Sequence, residues 1–140
     1  MEGDLNVQKD SYDYYFFLLT ILAIVLCMSR ILPTSFDKIF PEYRTATIRC
    51  TVNSLEQDTF SLEGEDCKLF LKQLEEYKYY YEGKHAGVYT GNLYHIDIID
   101  QEKNEWMFTF IISDKAFLYT DTKQYRLEGD VKALLNGLQS

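Results

Sequence analysis

The sequence predicts an α+β protein: a single N-terminal transmembrane helix, followed by a small antiparallel sheet of about six strands with two helices packed on it. Three observations predict it. A run of sixteen residues, Tyr14 to Ser29, carries no charge. From Thr45 onward apolar residues recur at every second position, the period of a half-buried strand. Two stretches, beginning at Gly64 and Gly129, switch to helical spacing.

The uncharged run makes a helix about 24 Å long, slightly short of the hydrocarbon thickness of a bilayer. Its ends extend it. Tyr12, Tyr14 and Tyr15 suit one membrane interface, and Arg30 can snorkel at the other, so that Ile31 and Leu32 join the buried length before Pro33 stops the helix. No polar stripe faces water, which argues against an ordinary surface helix. Two alternatives remain. A cleaved leader or lipoprotein signal fits poorly, because the segment "MEGDLNVQKDSYD" is acidic where leaders are basic, and Leu26 rather than a small residue precedes Cys27. A core helix of a soluble domain is the other. The chain then divides into an acidic tail (1–13), an anchor (14–32), a connector (33–44) and an α+β domain (45–140). Counting Lys and Arg puts the domain in the cytoplasm. The layout of a short tail, one span and a compact domain is similar to that of bacterial proteins that display a domain outside, and in general type the chain resembles small single-span proteins of Gram-positive bacteria. The localisation adopted is the cell membrane with the domain extracytoplasmic.

In the connector, Phe36, Ile39 and Phe40 are expected to pack back on the domain. "TATIRCTVN" alternates Ala46, Ile48, Cys50 and Val52 on one face, and "DTFSLE" is its hairpin partner after a turn at 54–57. "GEDCKLFLKQLEEYKYYYEG" then reads as one helix ending at Gly83, with Cys67, Phe70, Leu71, Leu74, Tyr77 and Tyr81 on its apolar face. "VYTGNLYHIDIID" and "EWMFTFIISD" form a long antiparallel pair, with Trp106, Phe108, Phe110 and Ile112 sharing a face. "AFLYTD" and "KQYRLE" form a shorter hairpin, and Val131, Leu134, Leu135 and Leu138 stripe a final helix. The segments "SLEGEDCKLFLKQL" and "RLEGDVKALLNGL" echo one another. Duplication of a ββα unit would explain this, but so would one good strand-to-helix turn used twice, and fourteen residues are too few to demonstrate a repeat.

The net charge of −8 and the lack of a Lys/Arg cluster argue against nucleic acid. No phosphate loop, Rossmann glycine set, EF-hand or zincin motif occurs. No cofactor or metal is expected: there are two His and three Cys, without ligand spacing. Cys50 and Cys67 both point to the core and could pair in an extracytoplasmic domain. His95 and Asp97 share one strand face. They could serve as base and orienter of a hydrolase, but no nucleophile elbow accompanies them, and polar residues on the solvent face of an edge strand are the simpler reading.

The aromatic excess, with twelve Tyr, nine Phe and one Trp, is the more telling feature. Helical spacing puts Tyr79 and Tyr80 off the core face. Together with Tyr89 and Tyr94 they are expected to form an exposed interaction surface, since Tyr is favoured at recognition sites. The expected function is a membrane-anchored, non-catalytic interaction or sensor module whose partner is a protein or cell-wall component. The alternatives are a small hydrolase using His95 and Asp97, and a soluble interaction protein with the N-terminal helix in its core.

Overall fold

A computed structural model describes residues 2–45, 47–55 and 57–138; of residues 2–8, 29, 30, 45, 57 and 58 only the backbone is described. Ala46, Glu56 in the first turn, and the Arg30 side chain therefore lie outside the described residues. The chain forms two compact units that divide between Leu32 and Pro33.

The first unit is one helix, α1 (Glu2–Ile31). Within it, Lys9–Met28 is long and apolar enough to cross a membrane. Its large apolar side chains from Phe16 to Met28 are exposed. Thr20, a hydroxyl in the middle of the stretch, donates to the Phe16 carbonyl at 2.9 Å and so needs no water.

The second unit is α+β. A short helix α2 (Phe36–Ile39) and a 3-10 turn (Pro41–Thr45) lead into β1 (Ile48–Ser54), β2 (Gln57–Leu62), α3 (Gly64–Glu75), β3 (Lys78–Lys84), β4 (Leu93–Asp100), β5 (Glu105–Ser113), β6 (Phe117–Tyr119), β7 (Lys123–Glu128) and α4 (Val131–Leu138). The seven strands form one antiparallel sheet in the order β2-β1-β4-β5-β6-β7-β3. Cys50, Val52, Ile96, Ile98, Phe108, Phe110, Ile112, Leu118, Tyr125 and Leu127 form the core with Phe70, Leu71 and Leu74 of α3 and Val131, Leu134 and Leu135 of α4. The connector is part of this core. Phe36 is fully buried, with rings of Phe40, Tyr43, Phe110 and Tyr79 at 5.2, 5.5, 5.3 and 6.2 Å. Phe40 stacks on Phe108 at 4.5 Å.

The seventh strand corrects the helix expected over 64–83. The helix stops at Glu75, and the Tyr-rich run "KYYYEGK" becomes β3, paired with β7 from Lys78–Glu128 to Lys84–Lys123. The cause is local and tertiary together. Tyr favours strands, and β7 offers a ladder. Thr34 exchanges both backbone hydrogen bonds with Tyr79, at 2.8 and 3.1 Å, which blunts the far edge of β3. Tyr79 is consequently buried, not exposed. Its hydroxyl donates at 2.5 Å to the Leu74 carbonyl at the end of α3, which also accepts from the Tyr77 N–H at 3.4 Å. Burial pushes its phenol far up, so it stays a donor.

Both echo segments make a strand-to-helix corner at a glycine with positive φ: +57° at Gly64 and +142° at Gly129. At Gly129 a side chain would also meet the Tyr77 ring. Turn chemistry accounts for the shared glycine. Cys50 on β1 and Cys67 on α3 are bonded to each other, fully buried, with Cα atoms 6.1 Å apart.

Two predictions follow from this packing. A chain beginning at Pro33 should fold, whereas one beginning at Thr45 should not, because it lacks Phe36, Phe40 and Tyr43. Circular dichroism and amide dispersion check this, and Phe36→Ala in the longer chain should cost about 3–5 kcal/mol. Replacing both Cys50 and Cys67 by Ala should lower unfolding free energy by about 3 kcal/mol, for a loop of this size, in a denaturant titration.

Candidate functional site

The ladder between β4 and β5 builds the site. It runs in register from Leu93–Ser113 to Ile98–Phe108, then slips so that Ile99 faces Trp106. Met107 is the extra residue of a β-bulge. Without it, Trp106 would share the inner face with Phe108 and Phe110, as the alternation predicts. With it, Trp106 turns to the outer face and is 65% exposed. There its indole N–H donates to Thr109 Oγ1 at 2.8 Å, and the Thr109 hydroxyl donates to Asp97 Oδ1. A Trp-Thr-Asp chain thus holds the indole upright on the sheet.

The opposite wall comes from the loop 85–92. His85 accepts from the Gly87 N–H on Nδ1 at 3.2 Å, which leaves Nε2 protonated to donate to the Thr120 carbonyl at 2.6 Å. The Tyr89 ring stands edge-on to Tyr119 at 4.9 Å and lies 5.3 Å from His85. Further along, the Thr90 N–H donates to the Tyr119 hydroxyl at 3.3 Å, Ser113 Oγ donates to the Thr90 carbonyl, and the Asn92 N–H donates to Asp114 Oδ1 at 2.9 Å. Gly91, at φ +87°, permits this seating: a Cβ there would collide with Asp114 Oδ1 and lie 2.7 Å from Ser113 Oγ.

Between these walls lies a cleft of about 280 Å³, lined by Trp106, Tyr89, Phe40, the β5 residues Phe108–Ile111, Tyr119, Thr120 and Asp121. It combines an exposed indole, a half-exposed phenol, hydroxyls and one carboxylate. Such a mixture suits binding of a partly apolar ligand.

Of the expected Tyr surface, only Tyr89 lies at this cleft. Tyr79 and Tyr94 are in the core, because both point to the inner sheet face. Tyr80 lies on β3, its ring under Arg126 at 4.8 Å and its hydroxyl on Glu128 at 2.8 Å. The four therefore do not make one surface. His95 and Asp97 do share the outer face, but β4 is a central strand between β1 and β5, not an edge. Among the described residues no hydrogen bond joins His95 to Asp97; the Asp97 carboxylate is taken by Thr109 instead. Among those residues, too, no group of three or more His, Cys, Asp or Glu has metal-binding geometry. Trp106, Thr109, Tyr119 and Asp121 were not singled out by sequence. The signal for Trp106 was its being the one Trp in the chain, and the break in alternation at "WMF".

Thr109→Val should free the indole from its tether, at a cost of about 1–2 kcal/mol from the unpaired Asp97. The check is increased quenching of Trp106 fluorescence by acrylamide, without loss of the fold. Gly91→Ala should displace Tyr89 and destabilise by about 1–3 kcal/mol through backbone strain.

No protein-family model, curated protein or solved structure matches the chain.

Proposed function

We propose that this chain is a single-pass membrane protein whose helix α1 anchors a non-catalytic α+β binding module outside the cytoplasm, and that the cleft between Trp106 and Tyr89 receives its ligand. The observation that carries the binding role is the Met107 bulge. It takes a large apolar side chain out of the core alternation and holds it in solvent beside a cleft. Exposed aromatic residues fixed by hydrogen bonds are the usual anchors of recognition surfaces.

Two further features support the anchoring and its direction. α1 offers twenty residues, Lys9–Met28, of suitable length and apolarity. The buried Cys50–Cys67 bond suits an oxidising compartment and is uncommon in the cytosol. The charge count around α1 points the other way, but its margin is small and long domains cross largely regardless of it. The ligand is a protein or a wall component in this reading.

The test uses Leu55, which is 96% exposed and remote in sequence from the cleft. A Leu55→Cys variant, with Cys27 replaced by Ser, should fractionate with membranes and react with an impermeant maleimide on intact cells. Labelling only after lysis would overturn the outward placement. Recovery in the soluble fraction would overturn the anchor.

A further inference from the structure

β6 covers β5 only from Ile111 to Ser113, where these residues face Tyr119 to Phe117. At Thr120 the chain turns back, its N–H donating to the Lys123 carbonyl at 2.9 Å. The rest of β5, Glu105–Phe110, has β4 on one side and no strand on the other among the described residues. The cleft lies there. Four consecutive β5 residues line it, Phe108 to Ile111. Successive side chains point to opposite faces, so a cleft that touches all four opens onto the edge of the strand.

The phase of the ladder identifies the groups at that edge. The Asp114 N–H donates to the Asn92 carbonyl at 3.1 Å. That bond flanks Leu93–Ser113 when the pair is of the non-hydrogen-bonded kind. Ser113, Ile111 and Thr109 therefore turn their N–H and C=O groups away from β4. The first two meet β6. Thr109 meets nothing: among the described residues neither main chain nor side chain bonds to its backbone groups. Natural sheets guard an open edge with Lys, Pro, an inward charge or a bulge. The stretch "WMFTF" has no Lys, Pro or charge; its one such device is the Met107 bulge, two residues before Thr109.

We propose that this edge binds an extended peptide segment of another protein, which adds a strand beside β5 through the N–H and C=O of Thr109. The proposal rests on the reading of the cleft as the binding site. Charge specifies the segment. Asp121 is the one charged residue among those lining the cleft, and no Lys or Arg joins it. The segment alternates, with apolar side chains against Trp106 and Tyr89 and a Lys or Arg for Asp121.

Trp106 is the single Trp of the chain, so fluorescence excited at the red edge of the indole band, where Tyr does not absorb, reports on the cleft. The full chain in detergent micelles is titrated with peptides of about nine residues, enough for one strand. One alternates Val with Lys and Ser, a second carries Glu for Lys, and a third is the first with N-methyl groups on the residues that face β5. A soluble chitin oligosaccharide is the fourth probe. The Lys peptide should shift the fluorescence saturably. The Glu peptide and the N-methylated peptide should each bind about tenfold more weakly or worse. Asp121→Lys, an exposed turn substitution, should invert the Lys-over-Glu preference. Equal binding of the N-methylated and parent peptides would overturn strand addition. A saturable response to the oligosaccharide and to no peptide would overturn the peptide while leaving the cleft a binding site. A fluorescence change that follows the concentration of the chain itself, without peptide, would make the occupant a second copy and overturn the proposal. Silence toward every probe would overturn both the peptide and the cleft.

Discussion

Met107 is one residue too many for the ladder between β4 and β5, and the proposed binding face depends on that surplus. An antiparallel pair has a strict period of two, so a single inserted residue exchanges the faces of everything beyond it. Here everything beyond it is short: Trp106 and Glu105, then the turn. The fold loses little core by the exchange, because Phe40 of the connector stacks on Phe108 next to the bulge. What it gains is an indole in solvent, tied through Thr109 to Asp97. Asp97, singled out as a possible catalytic orienter, instead positions an aromatic ring.

Covering the inner face of a seven-stranded sheet is the second constraint. Two helices of twelve and eight residues do not cover it alone. The connector supplies the remainder as an aromatic cluster centred on Phe36. α3 links distant parts of the sheet. At one end Cys67 is bonded to Cys50 on β1; at the other, the Leu74 carbonyl accepts from Tyr79 on β3, the opposite edge strand. The helix therefore crosses beneath the sheet from one flank to the other.

Most of this architecture was legible in the sequence wherever pattern and partner lay close together. The alternation of Ile48, Cys50 and Val52 and the helical spacing of Cys67, Phe70 and Leu74 placed both Cys toward one core. His95 and Asp97 fell on one face because a strand admits no other arrangement. The run "EEYKYYYEG" was misread because helical spacing and strand propensity both describe it. What decided between them was β7, some fifty residues further on, and Thr34 before it. That one error carried Tyr79 from the core to the surface. Trp106 failed for a smaller reason, since a one-residue bulge leaves hydrophobic composition unchanged. The edge at Thr109 was illegible because it follows from where β6 stops.

The brevity of β6 has a mechanical consequence. The sheet is two ribbons, one of four strands and one of three, and the seam between them is three residue pairs long. Beyond the seam, among the described residues, α3, α4, the connector and the loop 85–92 join the ribbons, and none of these resists twisting as a ladder does. The domain is accordingly softest across the cleft, and stiff along each ribbon. A segment lying against Thr109 would lengthen the seam, and restrict the twist of one ribbon against the other. Occupancy would then be felt as rigidity at the far edges of the sheet, including the β3 strand that Thr34 ties to the start of the domain.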